Sequence, residues 1–453
     1  MRVLVAVHGF PPLQNTGAER AAERIAVWLA QHGHHVEVFT IGHLNHPVPE
    51  VSTVEQDGFQ VHRLSFDIYA GNEFTNLYDN PMIGQALKPV LERGKFDLIH
   101  LISGYLLGGQ VIHTAHEMGI PVVLTLTEYF FMCPRLNLMH VDSSLCSGPD
   151  TDEKCGRCLL EGKRRFYYLK EASPVMADAF WTIAQYTSFA KRKSTEVSDR
   201  HEVMTNAFNQ ADLIIAPSQF ILQKYAEYGY IHPNTVMIRH GVDRPSHIKP
   251  KHTSEQPLHI HFGYMGQMKS HKGVDMIVTA MMELINAGHA CSLQIWGRSQ
   301  DDPAYYRRMQ KMTGGHYAVR FCGPFQGNRV FEVLENIDVL IVPSRWYENC
   351  PTVILEAFKM RIPVIATDLG GMAELVENEK SGLTFALNDV KDLARQMRRV
   401  MEEPGLFQRL ESGIPYVKDA SEEIAEIYAQ YERLLGRSTQ QPCEHGSSIT
   451  PAI

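Results

Sequence analysis

Short runs of β-branched and aliphatic residues recur along the chain. Between them lie longer stretches whose apolar positions repeat with helical spacing. Residues 3–7 (V-L-V-A-V), 36–40, 60–64, 98–101, 122–126 and 213–216 are of the first kind. Residues 17–31 are of the second, with Ile25, Ala26 and Leu29 on one face and Gly33 closing the segment. Continuous apolar runs of this length fit strands covered on both faces. Strands alternating with helices predict a parallel α/β sheet. The pattern restarts after a polar stretch at 244–257, which reads as a linker. Strands are then expected at 259–264, 292–296, 319–322, 339–342 and 364–367. The chain is therefore expected to hold an N-terminal unit (1–243) and a C-terminal unit (244–420). An amphipathic helix (421–435) and a polar, disordered tail (436–453) follow.

Composition narrows this picture. A chain of 453 residues exceeds one ordinary core, in keeping with two units. A net charge of −8 argues against nucleic acid as a partner. No apolar run approaches the roughly 20 residues of a membrane helix. Residues 1–7 read as a strand rather than a leader. A cytoplasmic location is expected, extending to the inner face of a membrane. Oligomeric state is not legible.

One segment breaks the alternation. Cys133, Cys146, Cys155 and Cys158 fall in a stretch rich in Gly, Ser, Pro and Asp, and end in C-x-x-C. Four thiols so grouped fit a structural zinc stapling the insertion 133–158. Four reduced thiols, or a redox pair at Cys155 and Cys158, fit as well. The D-x-D at 150–152 lacks a strand end before it and reads as a polar loop, so no catalytic divalent metal is expected. Residues 161–206 mix basic runs (163–165, 191–193) with aromatics such as Phe166, Tyr167 and Trp181. That pattern fits a solvated face over a core face, or a surface for a membrane or an acceptor.

The chemistry concentrates at 343–357, P-S-R-W-Y-E-N-C-P-T-V-I-L-E-A. The run 337–342 before it predicts a strand. Pro351 is expected at the first position of a helix, leaving Thr352 and Val353 as free N–H donors for a phosphate. Glu356 lies about one turn further along, where a carboxylate suits a ribose diol. Glu348 sits in the loop. The loop 266–273 (G-Q-M-K-S-H-K-G) likewise joins a strand to a helix, with Lys272 as a phosphate cation. The first strand is followed by a Gly/Pro loop and Gly17, at the kind of strand end where open α/β sheets bind ligands.

In this order and spacing, the motifs resemble those of retaining glycosyltransferases of family 4. They are T-G-A-E (16–19), G-H-H-V-E-V (33–38), A-D-L-I-I-A-P-S (211–218), H-G-V-D (240–243), G-Q-M-K-S-H-K-G-V-D (266–275), F-C-G-P-F (321–325), the 343–358 stretch and G-G-M-A-E-L-V (370–376). The resemblance implies a GT-B fold, in which two Rossmann-like domains face a cleft and the last helix returns to the first domain. It implies a nucleotide-diphospho-sugar co-substrate and a glycan, lipid-linked or small-molecule acceptor; the stretch 161–206 adds peripheral membrane contact to the expected partners. It places Glu348 beside the reacting carbon and Lys272 on the diphosphate. Donor contacts are implied for Gly17, Gln267, Phe325, Asn349, Cys350, Thr352, Val353 and Glu356. Acceptor-side positions are His100, Thr127 and Glu128. Two departures stand out. Gln267 occupies a slot usually held by Arg, and Thr127 one often held by His. A nucleotide-sugar epimerase of the same fold, or a non-catalytic nucleotide-sugar or zinc binder, is the alternative.

Overall fold

The computed structural model describes residues 1–14, 16–72, 74–248 and 259–436. The N-terminal sheet contains β1 (Arg2–Val7), β2 (His35–Ile41), β3 (Asn45–Gln56), β4 (Phe59–Asp67), β5 (Leu98–Ile102), β6 (Val122–Thr125), β7 (Leu213–Ala216) and β8 (Thr235–Met237). Its order is β3-β4-β2-β1-β5-β6-β7-β8, and every pair except β3–β4 is parallel. The second sheet contains β9 (Ile260–Met265), β10 (Cys291–Trp296), β11 (Val319–Gly323), β12 (Val339–Val342), β13 (Val364–Thr367) and β14 (Gly382–Phe385). Its order is β11-β10-β9-β12-β13-β14, parallel throughout.

The central strands are buried along their whole length, as continuous apolar runs require. Polar patterning hid β3. Its residues are mostly exposed, and it holds Pro47 and Pro49, tolerated because it lies at the sheet edge. The signal for it was Asp57-Gly58, both at positive φ (51° and 84°), which turn β3 into β4 as a hairpin.

The insertion 133–158 lies between β6 and β7, in a segment whose helices are Asp152–Glu161, Arg164–Ala172, Pro174–Ala184 and Ser188–Gln210. The four cysteines of the insertion are free thiols. Among the described residues no group of three or more His, Cys, Asp or Glu is placed to hold a metal ion. Cys133, Cys146 and Cys158 do lie near Cys155, and after burial they add to the rise in its thiol. The segment is held by packing and by Arg200, a fully buried guanidinium donating to the carbonyls of Phe130 and Phe131.

Most of the expected linker, residues 249–258, and the tail after Gly436 lie outside the described residues. The crossing between the two units is well defined. Val242 bridges Asp419, and Ala420 N donates to Val242 O at 2.9 Å. The last helix, Ala420–Leu434, buries Ile424, Ile427 and Tyr431 in one cluster with Val3, Val5 and Ile25 of the N-terminal unit.

That helix relocates one candidate site residue. His100, on β5, is fully buried, with Nε2 2.7 Å from Thr125 Oγ1 and Nδ1 2.5 Å from the Tyr431 hydroxyl. Burial pushes its imidazole down to about 3, so the ring is neutral. Its role is to lock the last helix onto the sheet, which removes it from acceptor contact. Tyr431→Phe orphans that ring nitrogen, and a loss of about 1–3 kcal/mol is expected in urea unfolding.

Candidate functional site

β9 and β12 are parallel neighbours, with Gly263 opposite Leu340. The chain leaves them in opposite directions across the sheet, so the loops after their carboxyl ends share one crevice. These are the loops at 266–273 and 343–351. Gly273 (φ 72°) ends the first loop, and a Cβ there would stand 2.1 Å from the Pro343 carbonyl oxygen. Only glycine lets the two loops approach this closely.

The two loops meet in an ion pair. Lys272 Nζ donates to Glu348 Oε1 at 2.6 Å, and that oxygen also accepts from Ser344 Oγ at 2.7 Å and Trp346 Nε1 at 2.8 Å. Glu348 is buried. Burial pushes its carboxyl up, but the Lys272 charge and the three hydrogen bonds outweigh this and hold it below the usual carboxylate range. Lys272 also lies over the Trp346 ring, 4.9 Å from its centroid. Arg345 clamps the two loops together. It grips Asp275 through two bonds of 2.6 and 2.7 Å and donates to the Ser270 carbonyl at 2.9 Å. Tyr305 completes the clamp on Asp275 at 2.6 Å.

The helix after the second loop is Thr352–Lys359, with Pro351 as its cap rather than its first residue. Thr352 and Val353 are half-buried at its start, and no described group accepts from their N–H groups. Glu356 is buried, and burial holds its carboxyl above the usual range. Arg20 and Arg24 of the N-terminal unit oppose that rise, while Asp243 adds to it. Arg20 in turn lies where a Cβ on Gly327 would meet it at 2.9 Å, so the first helix reaches across to the C-terminal unit. Cys350 is half-buried, with its thiol pushed up to about 12 by burial, and serves as packing. Gln267 is half-buried, and its carbonyl accepts from the Tyr264 hydroxyl at 2.7 Å. Phe325 stands edge-on to Trp296, whose buried indole N–H has no described partner.

Asn349 spans the cleft. Its amide donates to the Leu126 carbonyl at 3.0 Å and accepts from Ser218 Oγ at 2.6 Å. Tyr129 OH donates to the Tyr347 carbonyl at 3.3 Å. The loop carrying Glu348 is therefore docked on the ends of β6 and β7.

Facing it on the N-terminal side is a group that sequence reasoning missed. His8 follows β1, with Nε2 3.2 Å from Glu19 Oε1, and its Nδ1 is buried without a described partner. Glu19 also accepts from Thr16 N at 3.0 Å. Burial alone would raise Glu19, but His8 and Thr16 bring it down to about 2. Glu128 carries the opposite shift. Burial raises it, against hydrogen bonds from Thr127 and Ser103 and the nearby His8. Gly17 opens the first helix, is exposed, and has nothing within 4 Å of an added Cβ. His8 offered no periodic signal. Ser344 and Trp346 did lie within the P-S-R-W-Y-E motif, and their spacing from Glu348 was readable.

Comparison with known proteins places this geometry. Residues 16–241 match the family described as "Glycosyl transferase 4-like domain", and residues 259–403 match "Glycosyl transferases group 1". A glycogen synthase from Mycobacterium tuberculosis is 30% identical over 151 residues, covering 32% of this chain and 35% of that protein. A lipopolysaccharide core biosynthesis mannosyltransferase from Rhizobium meliloti is 25% identical over 218 residues, covering 45% and 62%. The chain thus spans less than two thirds of these curated relatives. Sucrose-phosphate synthase from Thermosynechococcus elongatus superposes with a TM-score of 0.65 at 17% identity, covering 97% of this chain and 100% of that one. HepE from Anabaena, in complex with UDP-glucose, superposes at 0.60 with 16% identity, covering 96% and 99%. The fold is GT-B.

Proposed function

Since the chain belongs to the family 4-like glycosyltransferases, we propose that it transfers a sugar from a nucleoside-diphospho-sugar to an acceptor hydroxyl, with retention at the anomeric carbon. The observation that carries this reading is the Lys272–Glu348 pair beside the open start of helix Thr352–Lys359. A departing nucleoside diphosphate gains negative charge. A fixed ammonium and two free N–H groups stabilise that charge without reorganising. Glu348, held ionised by Lys272, Ser344 and Trp346, faces the cation-like sugar. Glu356 takes the ribose diol. Gln267 leaves one cation fewer in the first loop, so more of the diphosphate falls on Lys272 and the helix start. Glu128 and His8, across the cleft, are placed to orient the acceptor hydroxyl.

The reading is tested by following nucleoside diphosphate release and the anomeric proton of the product by NMR. A product anomer inverted relative to the donor would overturn retention.

A second expectation concerns Glu356. Its carboxyl is raised by burial, so the ionised form is disfavoured in the folded state, and that cost is present at neutral pH. It vanishes as the pH falls below the ordinary carboxylate range. Glu356→Gln is therefore expected to raise stability at neutral pH, on the order of 1 kcal/mol. Nucleoside diphosphate affinity should fall at the same time, roughly tenfold. Thermal melting with and without nucleoside diphosphate reads both. A variant less stable than wild type at neutral pH would contradict the account of this carboxylate.

A further inference from the structure

The helical hairpin that follows the insertion, between β6 and β7, carries a surface that sugar transfer does not use. Helix Pro174–Ala184 turns Ala177, Trp181 and Ala184 inward. Trp181 and Ala184 form a small cluster with Leu160, Ala190 and Phe166 that fastens the hairpin to its neighbours. The opposite face is apolar as well. Val175 is 78% exposed, Met176 64%, Ile183 75% and the following Tyr186 73%, with Phe180 beside them. A helix that is apolar on both faces is normally buried. The one described charge on its outer face, Asp178, is already taken by Arg157. Tyr167 and Tyr168 extend the exposed patch onto the preceding helix.

Charge identifies what covers it. Residues 163–193 hold seven Lys or Arg and two Asp or Glu, a net of +5, in a chain whose net charge is −8. The cations flank the apolar face at both ends. Lys163, Arg164 and Arg165 are exposed before it, and Lys191 and Arg192 after it. Aliphatic side chains at the centre, tyrosines at the margin and cations around them match the layers of a lipid interface: acyl chain, headgroup boundary and anionic phosphate. A protein partner would not require this ring of like charge. Among the described residues no helix is long and apolar enough to cross a membrane, so contact would be with the surface. The hairpin belongs to the segment that leaves the carboxyl end of β6, the segment that also carries Glu128 and Tyr129. It therefore emerges from the cleft-facing end of the N-terminal sheet.

We propose that the hairpin at 164–189 docks the protein on an anionic bilayer surface, with Val175, Met176, Phe180 and Ile183 entering the headgroup boundary. This is independent of the transfer reading, because binding is measured without any donor. The full chain is floated with vesicles of phosphatidylcholine alone, and of phosphatidylcholine mixed with phosphatidylglycerol. Wild type is expected to float with the mixed vesicles, and less so as salt rises. Val175→Glu/Ile183→Glu is expected to lower that partitioning by about tenfold or more, with unchanged thermal melting because both positions are exposed. Arg164→Glu/Arg165→Glu is expected to lower it similarly on anionic vesicles only. Wild type that stays unbound, or a Val175→Glu/Ile183→Glu variant that floats like wild type, overturns the proposal. So does a wild-type dimer that this variant turns into a monomer without vesicle binding, since a second copy then covers the face.

Discussion

Lys272→Ala is expected to lower the turnover of sugar transfer by on the order of a thousandfold. The variant loses the fixed cation that meets the leaving diphosphate. It also strands Glu348, which keeps only Ser344 and Trp346 as donors in a buried setting. Breaking a buried pair from one side costs roughly 3–5 kcal/mol, so stability falls too. The double variant Lys272→Met/Glu348→Gln separates the two effects. It removes both charges, so most of the stability should return while activity stays lost. Glu348 is held below its usual range, so it contributes stability above the ordinary carboxylate range. That contribution is lost as the pH falls through its folded value. The stability gap between wild type and the double variant should therefore narrow in acid. Urea unfolding at neutral and acid pH checks this. A double variant that regains activity with its stability would show that the pair is structural only.

Gly371→Ala is expected to be the most damaging substitution of a single methyl group. A Cβ there would stand 1.7 Å from the Asn349 carbonyl oxygen, while Gly371 N already donates to the Glu348 carbonyl at 2.8 Å. The loop holding Glu348 must move, and with it the Asn349 contacts across the cleft. A stability loss of about 3 kcal/mol or more is expected. Transfer should drop by about a hundredfold, since misplacement of roughly 1 Å suffices for that. Gly17→Ala is the contrast. It meets nothing within 4 Å, so melting should hold or rise slightly. Any fall in donor affinity from Gly17→Ala would then report a ligand close to that position.

The two parallel sheets were legible because β-branched runs buried on both faces carry their own signature. β3 was not, because an exposed edge strand with two prolines looks like a polar loop. The strand-loop-helix around Glu348 and Glu356 was legible from local pattern, and so was the loop holding Lys272. Their contact was not. Lys272 and Glu348 are 76 residues apart in sequence, and only the pairing of β9 with β12 brings them together. His100 misled for the same reason. A histidine at a strand end looks available, and nothing local shows that Tyr431, 331 residues away, closes over it. The grouping of the four cysteines was legible too, since Cys133, Cys146 and Cys158 lie near enough to Cys155 to add to the rise in its thiol.

The central claim is that the Lys272–Glu348 crevice activates a nucleoside-diphospho-sugar. The most direct test is nucleoside diphosphate release across a panel of nucleotide sugars, with wild type and Glu348→Gln assayed side by side. The account predicts release from at least one donor by wild type, and a loss of on the order of a hundredfold or more in the folded variant. Release by Glu348→Gln at the wild-type rate would contradict it.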